Sequence, residues 1–168
     1  MILNLLITRK ARLLSNNLKS FLKDAKNVVV IGMGNELRAD DAIGLEVVRH
    51  LKPHANDRLT VFEGYTTPEV FISPACAIRP THIIIVDAAE LGVAAGTWRF
   101  IAEKEIDEQL FTTHAIPATE VTKEIKRRCG AKVAFLGIEP KIRDISISIS
   151  KECKKAAQEI AEIILKFF

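Results

Sequence analysis

The sequence predicts an α/β fold in which a largely parallel sheet is covered by helices on both faces. Three observations lead there. Residues 27–31 (Asn-Val-Val-Val-Ile) and 83–86 (Ile-Ile-Ile-Val) are short, almost wholly apolar runs, as expected of strands buried on both sides rather than on one. Segments with apolar residues at helical spacing alternate with these runs, and strand–helix alternation is the pattern of a parallel sheet. A glycine turn, Gly32-Met-Gly34-Asn35, joins the first run to the first helix of the alternation.

The elements follow in order. Residues 11–24 form an amphipathic helix with Leu14, Leu18, Phe21 and Leu22 on one face. After strand one and its turn, Asp40 is placed to N-cap a helix that carries Ile43, Val47 and Leu51 on one side, since a short acidic side chain accepts from the free N–H groups of a first turn. Residues 59–62 form strand two, and 66–78 a helix weakened by Pro74. Strand three spans 82–86, and strand four, 96–101, is expected at an edge. Pro117 opens a helix bearing Val121, Ile125 and Cys129. Residues 132–138 are strand five, and 151–168 a closing amphipathic helix through Ile160, Ile163, Ile164 and Phe167.

Composition narrows the function classes. The 168 residues suffice for one domain with a real core. No apolar run approaches the roughly 20 residues needed to span a bilayer. The apolar start precedes Arg9, Lys10 and Arg12, the reverse of a secretory signal. Cys76, Cys129 and Cys153 are far apart in sequence and form no CxxC pair, which fits buried thiols in a reducing cytoplasm. Residues 1–26 hold six Lys/Arg against the single acid Asp24, whereas the rest of the chain is slightly acidic. The chain therefore divides into a basic N-terminal extension, 1–26, and a domain, 27–168. A nucleic-acid binder would carry its charge on the domain. The extension reads either as a helix packed on its own domain or as a docking element for a partner or an anionic surface.

The Gly32-x-Gly34 turn has the look of a dinucleotide fingerprint, with Glu63 as the ribose-binding acid. However, Leu37 holds the third glycine position, and Asp40 and Asp41 would repel phosphate at the helix start. The glycines instead indicate a sharp turn or a closely approaching ligand. Of the two acids, Asp40 suffices as a cap, leaving Asp41 for other work. Asp87 emerges from the carboxyl end of an apolar strand, where ligands of doubly wound sheets bind. His114 lies in Thr112-Thr-His-Ala-Ile-Pro117, a loop entering a helix. His50, His54 and His82 have no acidic or histidine companions at useful spacing and read as surface or packing residues. Two carboxylates and an imidazole suit nickel, zinc, manganese or iron, and three protein ligands leave positions open for a substrate group. Their spacing does not choose among a protease, a metal-dependent hydrolase of a small molecule, and a nucleotide- or protein-binding module.

The stretch Gly32-Met-Gly34-Asn35-x-Leu37-x-x-Asp40-Asp41-x-x-Gly44 resembles the opening motif of the hydrogenase maturation endopeptidases. So do Ile83-Ile-Ile-Val-Asp87-Ala88, Thr112-Thr-His114 and Phe135-Leu-Gly-Ile-Glu-Pro140, in the right order over about residues 27–166. The phrasing is most similar to the branch serving formate-hydrogenlyase-type and related membrane-bound hydrogenases. The resemblance implies a three-layer αβα fold with a twisted, mostly parallel sheet of about five strands. It implies cleavage of a C-terminal extension from the precursor of the nickel–iron hydrogenase large subunit after nickel insertion. It also implies that Asp41, Asp87 and His114 contact nickel supplied within the substrate, so that the isolated protein is metal-free. Glu63 stands where many relatives have Asp, and residues 1–26 lie outside the pattern.

Overall fold

The computed structural model describes residues 16–106 and 116–168. Residues 16–22 are helical and form α1. There follow β1 (Val28–Met33), α2 (Ile43–Leu51), β2 (Leu59–Tyr65), α3 (Pro68–Ala77), β3 (His82–Ala88), β4 (Trp98–Ala102), α4 (Ala118–Cys129), β5 (Lys132–Ile138) and α5 (Lys151–Leu165). The strands make one sheet in the order β2-β1-β3-β5-β4. The first four of that order run parallel, and β4 closes an edge antiparallel to β5.

Each strand residue faces one of two cores, and this explains the unbroken apolar runs. Val28 and Val30 point into the core shared with Leu18 and Leu22 of α1, Val47 and Leu51 of α2, and Ile160 and Ile164 of α5. Val29, Ile31 and Met33 point into the core shared with Ile72 and Cys76 of α3 and Val121 and Ile125 of α4. Three layers result, with the sheet in the middle. Helix α3 persists through Pro74, although proline withdraws one N–H from the helix ladder.

The described part of the basic extension is attached to this domain. Leu18 and Leu22 are buried, and Phe21 meets the His82 ring edge-on at 4.8 Å and Phe100 at 5.4 Å. Leu14 lies outside the described residues. The cysteines, distant in sequence, are not all distant in space: Cys76 Sγ and Cys129 Sγ stand 2.7 Å apart where α3 and α4 end.

Helix α2 begins directly on the main chain of the sheet. A Cβ on Gly44 would sit 2.2 Å from the Val86 carbonyl oxygen and 2.4 Å from that of Met33. The first turn of α2 therefore rests on the ends of β1 and β3, and only a residue without a side chain fits there.

Candidate active site at the carboxyl edge of the sheet

The chain leaves β1 at Met33, turns through Gly34 and reaches a short 3-10 turn, Ala39–Ala42, which leads into α2. Gly34 has φ +141°, and a Cβ there would lie 2.0 Å from the carbonyl oxygen of Asp41. What approaches this glycine is thus the chain's own backbone. The Asp41 carboxylate accepts from the Asn35 N–H at 3.1 Å, and the Asn35 side chain accepts from the Leu37 N–H at 3.0 Å. The loop is closed on itself, and Asp41 sits half-buried within it.

Asp40 does not do what the sequence suggests. The residue that caps α2 is Ala42, with no side-chain hydrogen bond. Asp40 is fully buried and reaches about a hundred residues along the chain. One carboxylate oxygen accepts from the N–H groups of Lys141 (2.8 Å) and Ile142 (2.9 Å), and the other from Ser150 (2.6 Å). Burial pushes its pKa up, but these backbone donors outweigh burial and hold the carboxyl below its ordinary value. Ser150 is in turn the N-cap of α5, its hydroxyl accepting from the Cys153 N–H at 3.4 Å. Asp40 therefore ties the loop after β5 and the start of α5 to the loop carrying Asp41.

Asp87 lies near the end of β3, opposite Gly137 of β5. It is 1% exposed, and one oxygen accepts from the Ala88 N–H at 2.8 Å. The 3-10 turn containing Asp41 packs against β3, and Gly44, three residues after Asp41, meets the carbonyl of Val86. Asp41 and Asp87 thus share the carboxyl edge of adjacent parallel strands, the crevice in which doubly wound sheets bind ligands. His114, the third residue of the sequence argument, lies outside the described residues. Among the described residues no three His, Cys, Asp or Glu side chains gather at metal-binding distance. The two carboxylates supply hard oxygen donors, and an imidazole would complete a set suited to a borderline ion.

The same edge stores backbone strain. Ala39 (φ +45°) and Tyr65 (φ +50°) both hold left-handed conformations without being glycine, at a cost of about 1–3 kcal/mol each. The carbonyl of Tyr65 accepts from the Gly34 N–H at 2.8 Å, locking the ends of β1 and β2 together.

Glu63 is committed elsewhere. It accepts from Lys52 at 2.8 Å, from Arg49 at 3.1 and 3.2 Å, and from the Tyr65 hydroxyl at 3.3 Å. Lys52 first and Arg49 second hold it below the usual carboxylate range. An acid so engaged is poorly placed to hold a ribose, which removes the main support for a nucleotide site. Two of the thiols, those of Cys76 and Cys153, are poor nucleophiles: burial pushes Cys76 up to about 12 and Cys153 up to about 11, leaving almost no thiolate on either at neutral pH.

A sequence profile described as hydrogenase maturation protease, HycI, matches residues 45–167. A Methanocaldococcus jannaschii protein provisionally named a hydrogenase maturation protease is 33% identical over 153 residues, covering 86% of this chain and 90% of its own. The hydrogenase 3 maturation protease of Escherichia coli K12 is 29% identical over 133 residues, covering 79% and 85% respectively. Among solved structures, the nickel–iron hydrogenase maturation protease HycI of Thermococcus kodakarensis KOD1 superimposes with a TM-score of 0.82 at 24% identity, covering 89% of this chain and 97% of its own. The solution structure of the endopeptidase HycI from Escherichia coli gives 0.71 at 28% identity, with 81% and 87% covered.

Proposed function

Since this chain belongs to the hydrogenase maturation protease family, we propose that it is the endopeptidase that removes the C-terminal extension of a nickel–iron hydrogenase large-subunit precursor once nickel has been inserted. The observation that carries the reading is the pairing of Asp41 and Asp87 at one edge of the sheet, held by main-chain contacts. With His114 they are the residues we assign to the nickel, which arrives as part of the substrate. A precursor without nickel would lack its main attachment point, so cleavage waits for insertion. A nickel ion bound there supplies Lewis acidity toward the scissile carbonyl or a water. The protein's own part is to hold two carboxylates in fixed positions; with the Cys76 and Cys153 thiols protonated, an activated water is the nucleophile we favour.

Incubation with nickel-loaded and nickel-free precursor, read as the mass of the large subunit, tests this. Only the loaded form should be shortened. Asp87→Asn and His114→Ala should lower the cleavage rate by about a hundredfold or more, since loss of a group that merely orients a metal ligand already costs about 10–100-fold, while leaving the circular dichroism spectrum unchanged. Equal cleavage of both forms would sink nickel-dependent recognition, and cleavage of neither would sink the assigned substrate.

A further inference from the structure

The two helices on one face of the sheet end on facing thiols. Cys76 is in the last turn of α3 and Cys129 is the last residue of α4. Their sulfurs stand 2.7 Å apart, and both thiols point at the Ile125 carbonyl, at 3.9 Å from Cys76 and 3.3 Å from Cys129. No rearrangement of helices is needed to bring the sulfurs together. Cys76 is buried and Cys129 half-buried, so one thiol is shielded and the other is open to small oxidants. Cys153 lies in the opposite core, its thiol directed at the Glu139 carbonyl at 3.6 Å. Fifty-three positions separate Cys76 from Cys129, which is why their spacing carries no motif.

We propose that Cys76 and Cys129 are a reversible redox pair whose disulfide staples α3 to α4. Exchange with a small disulfide oxidant proceeds in two steps. The Cys129 thiolate attacks the oxidant, forming a mixed disulfide and releasing one thiol. The Cys76 thiolate then attacks Cys129 Sγ, closing the bond and releasing the second thiol. Two protein thiols are oxidised and one oxidant disulfide is reduced to two thiols. Because Cys76 is buried beside its partner, closure is slow at neutral pH and quickens as pH rises, in step with its thiolate fraction. The staple lies at the ends of α3 and α4, from which the chain passes to the amino ends of β3 and β5, whereas Asp41 and Asp87 lie at the carboxyl edge. It therefore changes the resistance of the fold to heat and not the chemistry of the site.

The test is a thiol count on the full chain. Reduced protein, and protein incubated with oxidised glutathione at pH 8, are acid-quenched, unfolded, alkylated and weighed. The reduced form should take up three alkyl groups. The oxidised form should take up one, on Cys153, with a peptide joining Cys76 to Cys129. Its melting temperature should rise by about 5–15 °C, and reductant or Cys129→Ser should abolish the rise. Three alkyl groups after oxidation, a glutathione adduct persisting on Cys129, or a bridge that includes Cys153 would each overturn the proposal. The wild-type count decides the matter even if the variant fails to fold.

Discussion

At the scale of single residues, neighbouring acids have divergent fates. Asp40 and Asp41 are adjacent, yet one is fully buried as a clamp on three backbone donors and the other faces the sheet edge. The sequence showed that a helix begins nearby, and capping was the simplest local use for an acid. It could not show a partner about a hundred residues away, because nothing in residues 139–150 marks their N–H groups as needing an acceptor. The correction reverses an expectation. As a cap, Asp40 would tolerate asparagine; as a clamp, it would not, because an amide turns one accepting oxygen into a donor facing N–H groups. Asp40→Asn should cost about 2–4 kcal/mol of stability, read as a lower urea midpoint, and should slow processing by loosening the loop before Asp41. A midpoint within experimental error of the wild type would restore the capping view. By contrast, the placement of Asp87 was readable, since it closes an apolar run, and the structure buries it near the end of β3.

Elements were the most legible level, because burial on both faces leaves a plain mark in strands. The five strands appear where the apolar runs place them, including β4 at an edge. The boundaries of β1 and β2 run a few residues further than expected, through Met33 and Tyr65, since pairing continues past the apolar stretch. Helix α1 bears on a choice that composition left open. Within its described part Leu18 and Leu22 are spent on the domain itself, so those two side chains are not free to grip a partner. An ion pair ties the two parts as well, with signs opposite to their overall balance: Asp24, the extension's single acid, holds Lys132 of the domain at 2.5 Å. Leu22→Ala should cost about 2–5 kcal/mol, as large-to-small changes in a packed core do, and thermal melting measures it. A loss below about 0.5 kcal/mol, the range of ordinary surface changes, would mean that the helix merely rests on the fold. Removing residues 1–26 should therefore impair folding before it affects cleavage.

For the whole molecule, one buried imidazole shapes stability against pH. His82 is 1% exposed, and burial holds its pKa below the ordinary 6.5 although Asp24, 3.4 Å away, pulls the other way. The folded state thus binds the proton less readily than the unfolded chain does. Stability is complete above about pH 6.5 and falls as pH drops from there through the lowered folded value. Asp40 and Glu63, held low in the fold, add a second loss only below about pH 4. Urea unfolding at pH 8, 6.5 and 5 should show the first decline, and His82→Leu should flatten it; a wild-type curve level across that range would refute the assignment. The layered architecture was written in the alternation of strands and helices, whereas the width of the crevice was not, because it depends on contacts between distant stretches of main chain. Gly34 against the Asp41 carbonyl and Gly44 against that of Val86 fix that width. Both clashes are with backbone, so no companion substitution could relieve them. If the chain were randomised and selected for some unrelated activity on the same scaffold, both glycines should return among the survivors, while Asp41 and Asp87 drifted. Invariance at positions 34 and 44 would then record the inheritance of a shape, and only invariance at the acids would record the inheritance of a reaction.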